Sequence, residues 1–188
     1  LGEAVRNAFH TGVSQTVDVG EKSCFLNVYM PQPRLVVIGA VHISQALAPL
    51  ARSLGYDVTV VDPRSAFASP ERFPNVPLIA EWPDVALPPL DIDHYTAFVA
   101  VTHDPKIDDP ALLHALERDC FYIGALGSLK THARRAERLK ALGASEADIA
   151  RVHAPIGLEI GAISPSEIAL AIMAEITAEL RLPKASAA

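Results

Sequence analysis

Apolar and polar positions follow one another along the chain in blocks that predict strands and helices in turn. Two apolar runs, at 35–38 and 97–101, have the length and composition of buried parallel strands, and residues 57–61, closed by Asp62 and Pro63, are predicted as a further strand. Apolar residues at helical spacing follow the first run over residues 43–54, and Gly55 ends that pattern. Strands that alternate with helices in this way predict a parallel sheet with helices on both faces.

The second half of the chain continues the alternation with less regular signals. It predicts a short strand at 78–79, a helix at 111–117, a strand at 121–123 and a polar-faced helix at 128–142. A last helix at 165–180 is the best specified. Ser164 is placed as its N-cap, Pro165 occupies the first helical position, Glu167 completes a capping box, and Pro183 prevents continuation.

Residues 1–32 show a different pattern, with partial alternation at 16–19 and 24–29 around a turn-like cluster at 20–23. We predict a β-hairpin there. Residues 1–32 are therefore expected to be an N-terminal β segment, the remainder of a trimmed or separate domain, and residues 33–188 a second domain. The predicted fold class is α/β: a Rossmann-like, doubly wound, mostly parallel sheet with helices on both faces, plus the small hairpin.

Composition and charge exclude several classes of protein. The 188 residues carry a net charge of −6, which gives no electrostatic footprint for nucleic acid. No apolar run is long enough to span a bilayer. The two cysteines, Cys24 and Cys120, lack the spacing of a zinc site or a disulfide framework, so we predict a reducing, cytoplasmic setting and no bound metal.

The loop after the first predicted strand, in the stretch VVIGAVHISQ, is the first candidate site. A dinucleotide-binding loop reads G-x-G-x-x-G/A, and its second glycine lets the backbone approach a pyrophosphate. Gly39 fits the first position, but Val41 occupies the second and weakens a prediction of NAD(P) binding. Two alternatives remain: a ligand-free turn, or an altered anion site in which Gly39, Ala40 and His42 present helix-start amides and an imidazole.

Polar residues follow the next two strands. Asp62 lies where an acidic residue binds a ribose hydroxyl in dinucleotide-binding folds, and Arg64 is placed to bind a phosphate; a turn-forming or solvated role is the alternative for both. After residues 97–101, Thr102, His103 and Asp104 form a second polar group, in which His103 is suited to acid–base work. The alternative for Asp104 and Asp108 is to cap turns or the next helix, and we interpret Asp108 and Asp109 in that way.

A second glycine-rich loop follows the strand at 121–123. Gly124, Gly127 and Ser128 lead into the helix at 128–142, whose first amides are suited to an anion. Local positive charge follows, from Lys130, His132, Arg134 and Arg135. A capped helix with a solvated basic face is the alternative. The loop from His153 to Ala162 has the glycines and proline of either a binding lid or a structural crossover.

Four segments are recognisable as a set: GAVH from Gly39, THDPK from Thr102, YIGALGS from Tyr122 and HAPIGL from His153. In this order and spacing, over residues 34–180, the chain resembles the C-terminal Rossmann-like domain of the XdhC/CoxI family. Members are accessory proteins of xanthine dehydrogenase and related molybdenum hydroxylases. The family's first loop reads Gly-Ala-Gly-His, so Val41 departs from it. The family's N-terminal cysteine motif is not recognisable, and Cys24 does not correspond to it.

The resemblance implies a chaperone, not an enzyme in the turnover sense. It would hold molybdenum cofactor, with the pterin phosphate against residues 124–128 or 39–42 and with Asp62 and His103 on polar edges. It implies an apo molybdenum hydroxylase as partner and a cysteine desulfurase as a further one, and we also expect a homo-oligomer. The alternatives are an NAD(P)-dependent oxidoreductase that selects its nucleotide through Asp62 or Arg64, and a ligand-free interaction module with a degenerate Rossmann core.

Overall fold

The computed structural model describes residues 1–182, apart from the side chain of His10. The chain divides into two units, one comprising residues 1–31 with the residues from Thr177 onward, and the other residues 32–176. Residues 183–188, the end of the predicted second domain, lie outside the described residues, and so does Pro183.

The first unit begins with a helix to which the sequence analysis assigned no element, α1 (Gly2–Thr11), ended by the left-handed Gly12. The predicted hairpin follows and is confirmed. Strands β1 (Gln15–Val19) and β2 (Lys22–Leu26) pair antiparallel, and the second strand is shorter than predicted, since it ends at Leu26.

The second unit contains a parallel sheet whose described strands are β3 (Arg34–Ile38), β4 (Asp57–Val61), β5 (Leu78–Ile79), β6 (Thr96–Ala100), β7 (Tyr122–Ala125) and β8 (Val152–His153). Their order across the sheet is β5-β4-β3-β6-β7-β8, with every pairing parallel. The connections therefore run outward in both directions from the central pair, β3 and β6. This is the doubly wound topology that the sequence predicts, and the fold class is confirmed.

Helices accompany the strands: α2 (His42–Ser53), α3 (Pro83–Ala86), α4 (Pro105–Leu116), α5 (Leu129–Ala141), α6 (Glu146–Ile149) and α7 (Pro165–Arg181), with a 3₁₀ turn at Pro88–Leu90. Val36 and Ile38 of β3 pack in one apolar cluster with Ile107 and Ala111 of α4 and Leu139 of α5. The alternate residues of β3 point to the opposite face and are also buried. A strand buried on both faces explains why its sequence is apolar throughout.

The N-termini of α7 and α4 can be compared with the helix starts predicted from the sequence. The capping box of α7 is confirmed, because the Glu167 amide donates to Ser164 Oγ (3.3 Å) and the Ser164 amide to Glu167 Oε2 (2.7 Å). The predicted start of α4 at residue 111 is wrong, since the helix begins at Pro105 with Asp104 as N-cap. Pro110 lies within the helix, where it removes one hydrogen-bond donor.

Candidate functional site

The central pair of strands marks the place where a doubly wound sheet opens a crevice. Because β3 connects toward β4 and β6 connects toward β7, the loops after β3 and β6 part in opposite directions. These loops contain the predicted site residues Gly39 to His42 and Thr102 to Asp104. The candidate site is therefore built from this carboxyl edge of the sheet.

Gly39 is a glycine for a reason that does not involve a ligand. Its φ is 114°, and an added Cβ would lie 2.8 Å from Thr102 Cγ2 and 3.3 Å from the Thr102 amide nitrogen. Its own amide donates to the Val61 carbonyl (2.8 Å), and its carbonyl accepts from Ser44 Oγ. The close approach of the first loop to the end of β6 thus requires this glycine.

The loop ends at Val41, which is the N-cap of α2 with extended backbone, so its conformation needs no glycine. The first intrahelical bond runs from the Gln45 amide to the Val41 carbonyl (3.1 Å). The amides of Val41, His42 and Ile43 precede it and have no intrahelical acceptor. This helix start keeps donors for an anion, although the side chain of Val41 stands where a dinucleotide needs bare backbone.

Asp62 is fully engaged by the protein itself. Its side chain is 0% exposed, and its oxygens accept from Arg64 N and Nε (2.9 Å each), Arg64 Nη2 (2.8 Å) and the Ala40 amide (2.7 Å). Burial alone would raise the pKa of this carboxyl, but the bonds from Arg64 and Ala40 outweigh burial and lower the pKa. The Arg64 guanidinium lies over the Phe67 ring. A ribose hydroxyl would have to displace Arg64 to reach Asp62.

Asp108 fills the loop after β6 in the same way. It is 1% exposed, and its carboxylate accepts from Thr102 Oγ1 (2.7 Å), the Thr102 amide (3.3 Å) and the His103 amide (3.0 Å). Burial raises the pKa of Asp108, and these hydrogen bonds reduce the rise without cancelling it. Asp108 therefore occupies two loop amides that the sequence left available for a ligand.

His103, Asp104 and Asp109, the other polar residues around this loop, have different environments. His103 is exposed and has a φ of 64°, an uncommon conformation for a residue with a Cβ. Asp104, predicted to bind a ligand, serves as the N-cap of α4 and accepts from the Lys106 amide (2.9 Å). Asp109, interpreted as a cap, is instead buried inside α4 and paired with Arg138.

The glycines of the second glycine-rich loop, residues 124–128, have two different roles. Gly124 lies inside β7, and an added Cβ would meet Ile156 Cδ1 at 2.6 Å and Tyr122 Oη at 2.7 Å. Gly127 has a φ of 134°. Ser128 is the N-cap of α5, as predicted, and accepts from the Thr131 amide (3.2 Å). Packing accounts for Gly124, whereas Gly127 and Ser128 shape a helix start.

A pocket of about 350 Å³ lies between the start of α4 and the first three turns of α5. Its lining carries four basic and two acidic side chains together with a histidine, and comprises His103, Pro105, Asp108, Asp109, Lys130, Thr131, Arg134, Arg135 and Arg138. Of the predicted site residues, His103 is the one that lines it. The volume is at the lower end of ligand pockets, which span roughly 300–1,000 Å³.

Arg135 belongs to the basic group of α5 that was predicted only as local positive charge, and it is a buried member of that group. Its side chain is 2% exposed, and Nη2 donates to the Leu126 carbonyl (2.8 Å). Nε and Nη1 have no hydrogen-bond partner among the described residues. Leu139, four residues on, is fully buried on the same face, and this i, i+4 spacing was the available signal.

A further cluster joins Tyr122 of β7 and His153 of β8 to Glu175 of α7. Glu175 accepts from Tyr122 Oη (2.5 Å) and the Gly157 amide (2.7 Å), and its second oxygen is 3.2 Å from His153 Nδ1. Burial would raise the pKa of Glu175, but the bonds from His153, Tyr122 and Gly157 lower it. Glu175 ties the loop after β8 to α7, a role the sequence analysis did not predict.

Residues 1–182 lack two features, a membrane-spanning helix and a metal-binding group. No helix among them is both long enough and apolar enough to cross a membrane. No group of three or more His, Cys, Asp or Glu side chains among them is arranged to hold a metal ion. Both cysteines are free thiols; Cys24 is exposed, and burial raises the pKa of Cys120 to about 12.

With this geometry established, comparison with known proteins identifies relatives. The family model described as the XdhC Rossmann domain matches residues 35–176. The uncharacterized protein YqeB of Escherichia coli is 37% identical over 159 residues, which are 84% of this chain and 29% of YqeB. The molybdenum cofactor insertion chaperone PaoD of Escherichia coli is 33% identical over 154 residues, which are 82% of this chain and 42% of PaoD.

A solved structure gives the same result in three dimensions. The crystal structure of a xanthine dehydrogenase from Bacillus halodurans superposes with a TM-score of 0.73 at 28% identity, over 87% of this chain and 47% of that one. The chain thus spans less than half the length of each of these relatives.

Proposed function

Because the chain belongs to the XdhC family through its Rossmann domain, we propose that it is a maturation factor that binds molybdenum cofactor and passes it to an apo molybdenum hydroxylase. The observation that carries the proposal is the 33% identity to a relative named for molybdenum cofactor insertion, over 82% of this chain. The likeness to the solved xanthine dehydrogenase chain supports a client of that type.

The chemistry of the carboxyl edge supports a phosphorylated, polar ligand. Molybdenum cofactor is a pterin with a dithiolene and a phosphate tail. The pocket offers basic side chains and a buried guanidinium with two unused donors, which fit the phosphate tail. The exposed side chains of His42 and His103 and the helix-start amides after Val41 and Ser128 fit polar edges of the pterin.

Eight of the residues first assigned to the cofactor have other roles in the proposal. Asp62 and Arg64 bind each other, and we propose that they shape the first loop by holding Ala40. Gly124 is retained for packing in β7. Gly39, Thr102 and Asp104 shape the loops, while Gly127 and Ser128 position the start of α5.

Sulfur chemistry is placed on a partner protein. A thiol with a pKa of about 12 is protonated near neutral pH, so Cys120 is not suited to bind molybdenum or carry sulfur. We therefore propose a cysteine desulfurase as the sulfur source. We also propose that the protein is a homo-oligomer and acts in the cytoplasm. Co-purification with an apo hydroxylase or a desulfurase tests the partners, and light scattering tests the oligomer.

The test of cofactor binding uses the full-length protein from cells supplied with molybdate. Bound pterin is released by acid and oxidised, and its fluorescence is measured per mole of protein. We expect near-stoichiometric pterin, and background fluorescence from a host that cannot make the pterin. Absence of pterin from several preparations, together with no transfer to an apo hydroxylase, would contradict the proposal.

The alternatives predict different outcomes of that experiment. An NAD(P)-dependent oxidoreductase would show quenched protein fluorescence on addition of NADH or NADPH and would carry no pterin. A ligand-free interaction module would bind the apo hydroxylase with neither ligand, and the substitution His103→Ala would leave that binding unchanged.

A further inference from the structure

Arg135 has more hydrogen-bonding capacity than the protein uses. A guanidinium keeps its charge in any protein environment and has five N–H donors in a fixed fork. One nitrogen of Arg135 donates to the Leu126 carbonyl, while Nε and Nη1 lack a partner among the described residues. Buried donors are almost always satisfied by protein, water or ligand, because an unpaired one costs about 1–3 kcal/mol.

Neighbouring acidic residues supply charge to Arg135 but no hydrogen bond. Burial lowers the pKa of the Arg135 guanidinium, and Asp108 and Asp109 oppose that effect through their charge. The oxygens of Asp108 accept from Thr102 and His103, and those of Asp109 from Arg138. The Nε and Nη1 edge of Arg135 is thus left for a group that the chain does not itself contribute.

The surroundings of Arg135 select an anion of high charge. Lys130 and Arg134 line the same pocket on the exposed turns of α5, and no acidic partner of either is found among the described residues. The amides of Leu129 and Lys130 precede the first intrahelical bond of α5, His132 N to Ser128 O (2.9 Å), so they lack an intrahelical acceptor. Lys130, Arg134 and Arg135, none of which donates a hydrogen bond to a carboxylate among the described residues, therefore line one volume, together with the Arg138–Asp109 pair and Asp108.

We propose that this pocket binds the phosphate monoester of the ligand, with the Nε and Nη1 edge of Arg135 as its central donor and Lys130 and Arg134 above it. The assignment deepens the proposed function, on which the choice of ligand rests, and moves the phosphate away from the Gly39 loop. Nε and Nη1 are covered in this structure. The proposal therefore requires the groups that cover these two nitrogens to move when phosphate binds.

Inorganic phosphate is the probe, titrated into the full-length protein by calorimetry with chloride at matched ionic strength as the reference. Arg135→Met keeps a similar length and removes the donors, so phosphate affinity should fall roughly tenfold or more. Lys140→Met removes the same charge from an exposed position of α5 outside the pocket, and should change affinity less than about twofold. The ¹⁵Nε resonance of Arg135 should shift on titration of the wild-type protein.

The outcomes separate this site from the proposed function and from a purely structural arginine. Unchanged phosphate affinity in Arg135→Met, or a wild-type ¹⁵Nε resonance that does not move, overturns the site even if pterin co-purifies. Loss of phosphate affinity in a protein that never carries pterin supports the site and contradicts the function. If Arg135→Met does not fold, the resonance of the wild-type protein decides.

Discussion

Asp108→Asn tests whether one internal carboxylate holds the loop after β6. Asp108 is buried and accepts three hydrogen bonds, from Thr102 Oγ1 (2.7 Å), the Thr102 amide (3.3 Å) and the His103 amide (3.0 Å). Asparagine keeps one oxygen and turns an NH₂ group toward a donor, so at least one buried amide loses its acceptor. An unsatisfied donor costs about 1–3 kcal/mol, and relief of the buried charge offsets part of that cost.

We therefore expect Asp108→Asn to lower the free energy of unfolding by about 1–2 kcal/mol, measured by urea denaturation near neutral pH. In a protein of this size the midpoint of thermal unfolding should fall by roughly 2–8 °C. His103, whose left-handed backbone depends on this bond, should show a large shift of its amide resonance.

The pH dependence has a definite sign. The pKa of Asp108 is raised in the folded protein above its ordinary value of 3.8, so the folded state holds this proton more tightly than the unfolded state. Its contribution to stability is fully present below pH 3.8 and is lost as pH rises through the folded pKa. The stability difference between wild type and Asp108→Asn should accordingly be larger in acid than at neutral pH.

Asp109→Asn is the matched control, because Asp109 is the next residue of α4 and pairs with Arg138. It should leave the His103 amide resonance unchanged. A stability of Asp108→Asn within about 0.5 kcal/mol of wild type, with an unmoved His103 resonance, would refute the claim that Asp108 holds the loop.

Three further predictions concern the rest of the carboxyl edge and its supports. Gly124→Ala should cost about 1–3 kcal/mol in urea unfolding through overpacking against Ile156, and a neutral effect would show that β7 has room for a Cβ. Val41→Gly alone should give no NADH binding by fluorescence, because Arg64 still covers Asp62; measurable binding would revive the dinucleotide alternative. Glu175, whose pKa is lowered from 4.5, stabilises the fold above pH 4.5 and loses that contribution in more acidic solution, so Glu175→Gln should flatten the acid limb of stability against pH; an unchanged limb would contradict this.

The sequence predicts the central strands because a doubly covered parallel strand must be apolar at every position. The runs at 35–38 and 57–61 match β3 and β4 to within a residue, and β6 begins one residue earlier than predicted. Helix starts were predictable where a capping residue stands alone, as at Ser128 and Ser164. The start of α4 was not predicted. Its N-cap, Asp104, lies six residues before Pro110, which interrupts the helical pattern.

The chemistry of the site was harder to predict, since the burial of a charge depends on tertiary packing. Asp62 was expected to bind a ligand, but its carboxylate is buried and forms an ion pair with Arg64, two residues away. Arg135 was grouped with the exposed bases of α5, yet it is 2% exposed. A helix periodicity that places an arginine one turn before a core leucine is weak evidence alone, because long side chains at such positions usually extend to solvent.

The crevice between β3 and β6 and the pocket between α4 and α5 differ in the charged groups that they offer to an anion. At the central crevice the protein supplies its own anions: Asp62 takes the Ala40 amide, and Asp108 takes the amides of Thr102 and His103. A second anion placed there would meet two buried carboxylates, and its donors would be the amides at the start of α2. The pocket beside α5 is lined by Asp108 and Asp109 as well, but there Arg135 keeps open donors and Lys130, Arg134 and Arg138 add positive charge. This larger number of cationic groups favours a phosphate in the pocket between α4 and α5 over the crevice that a dinucleotide would use.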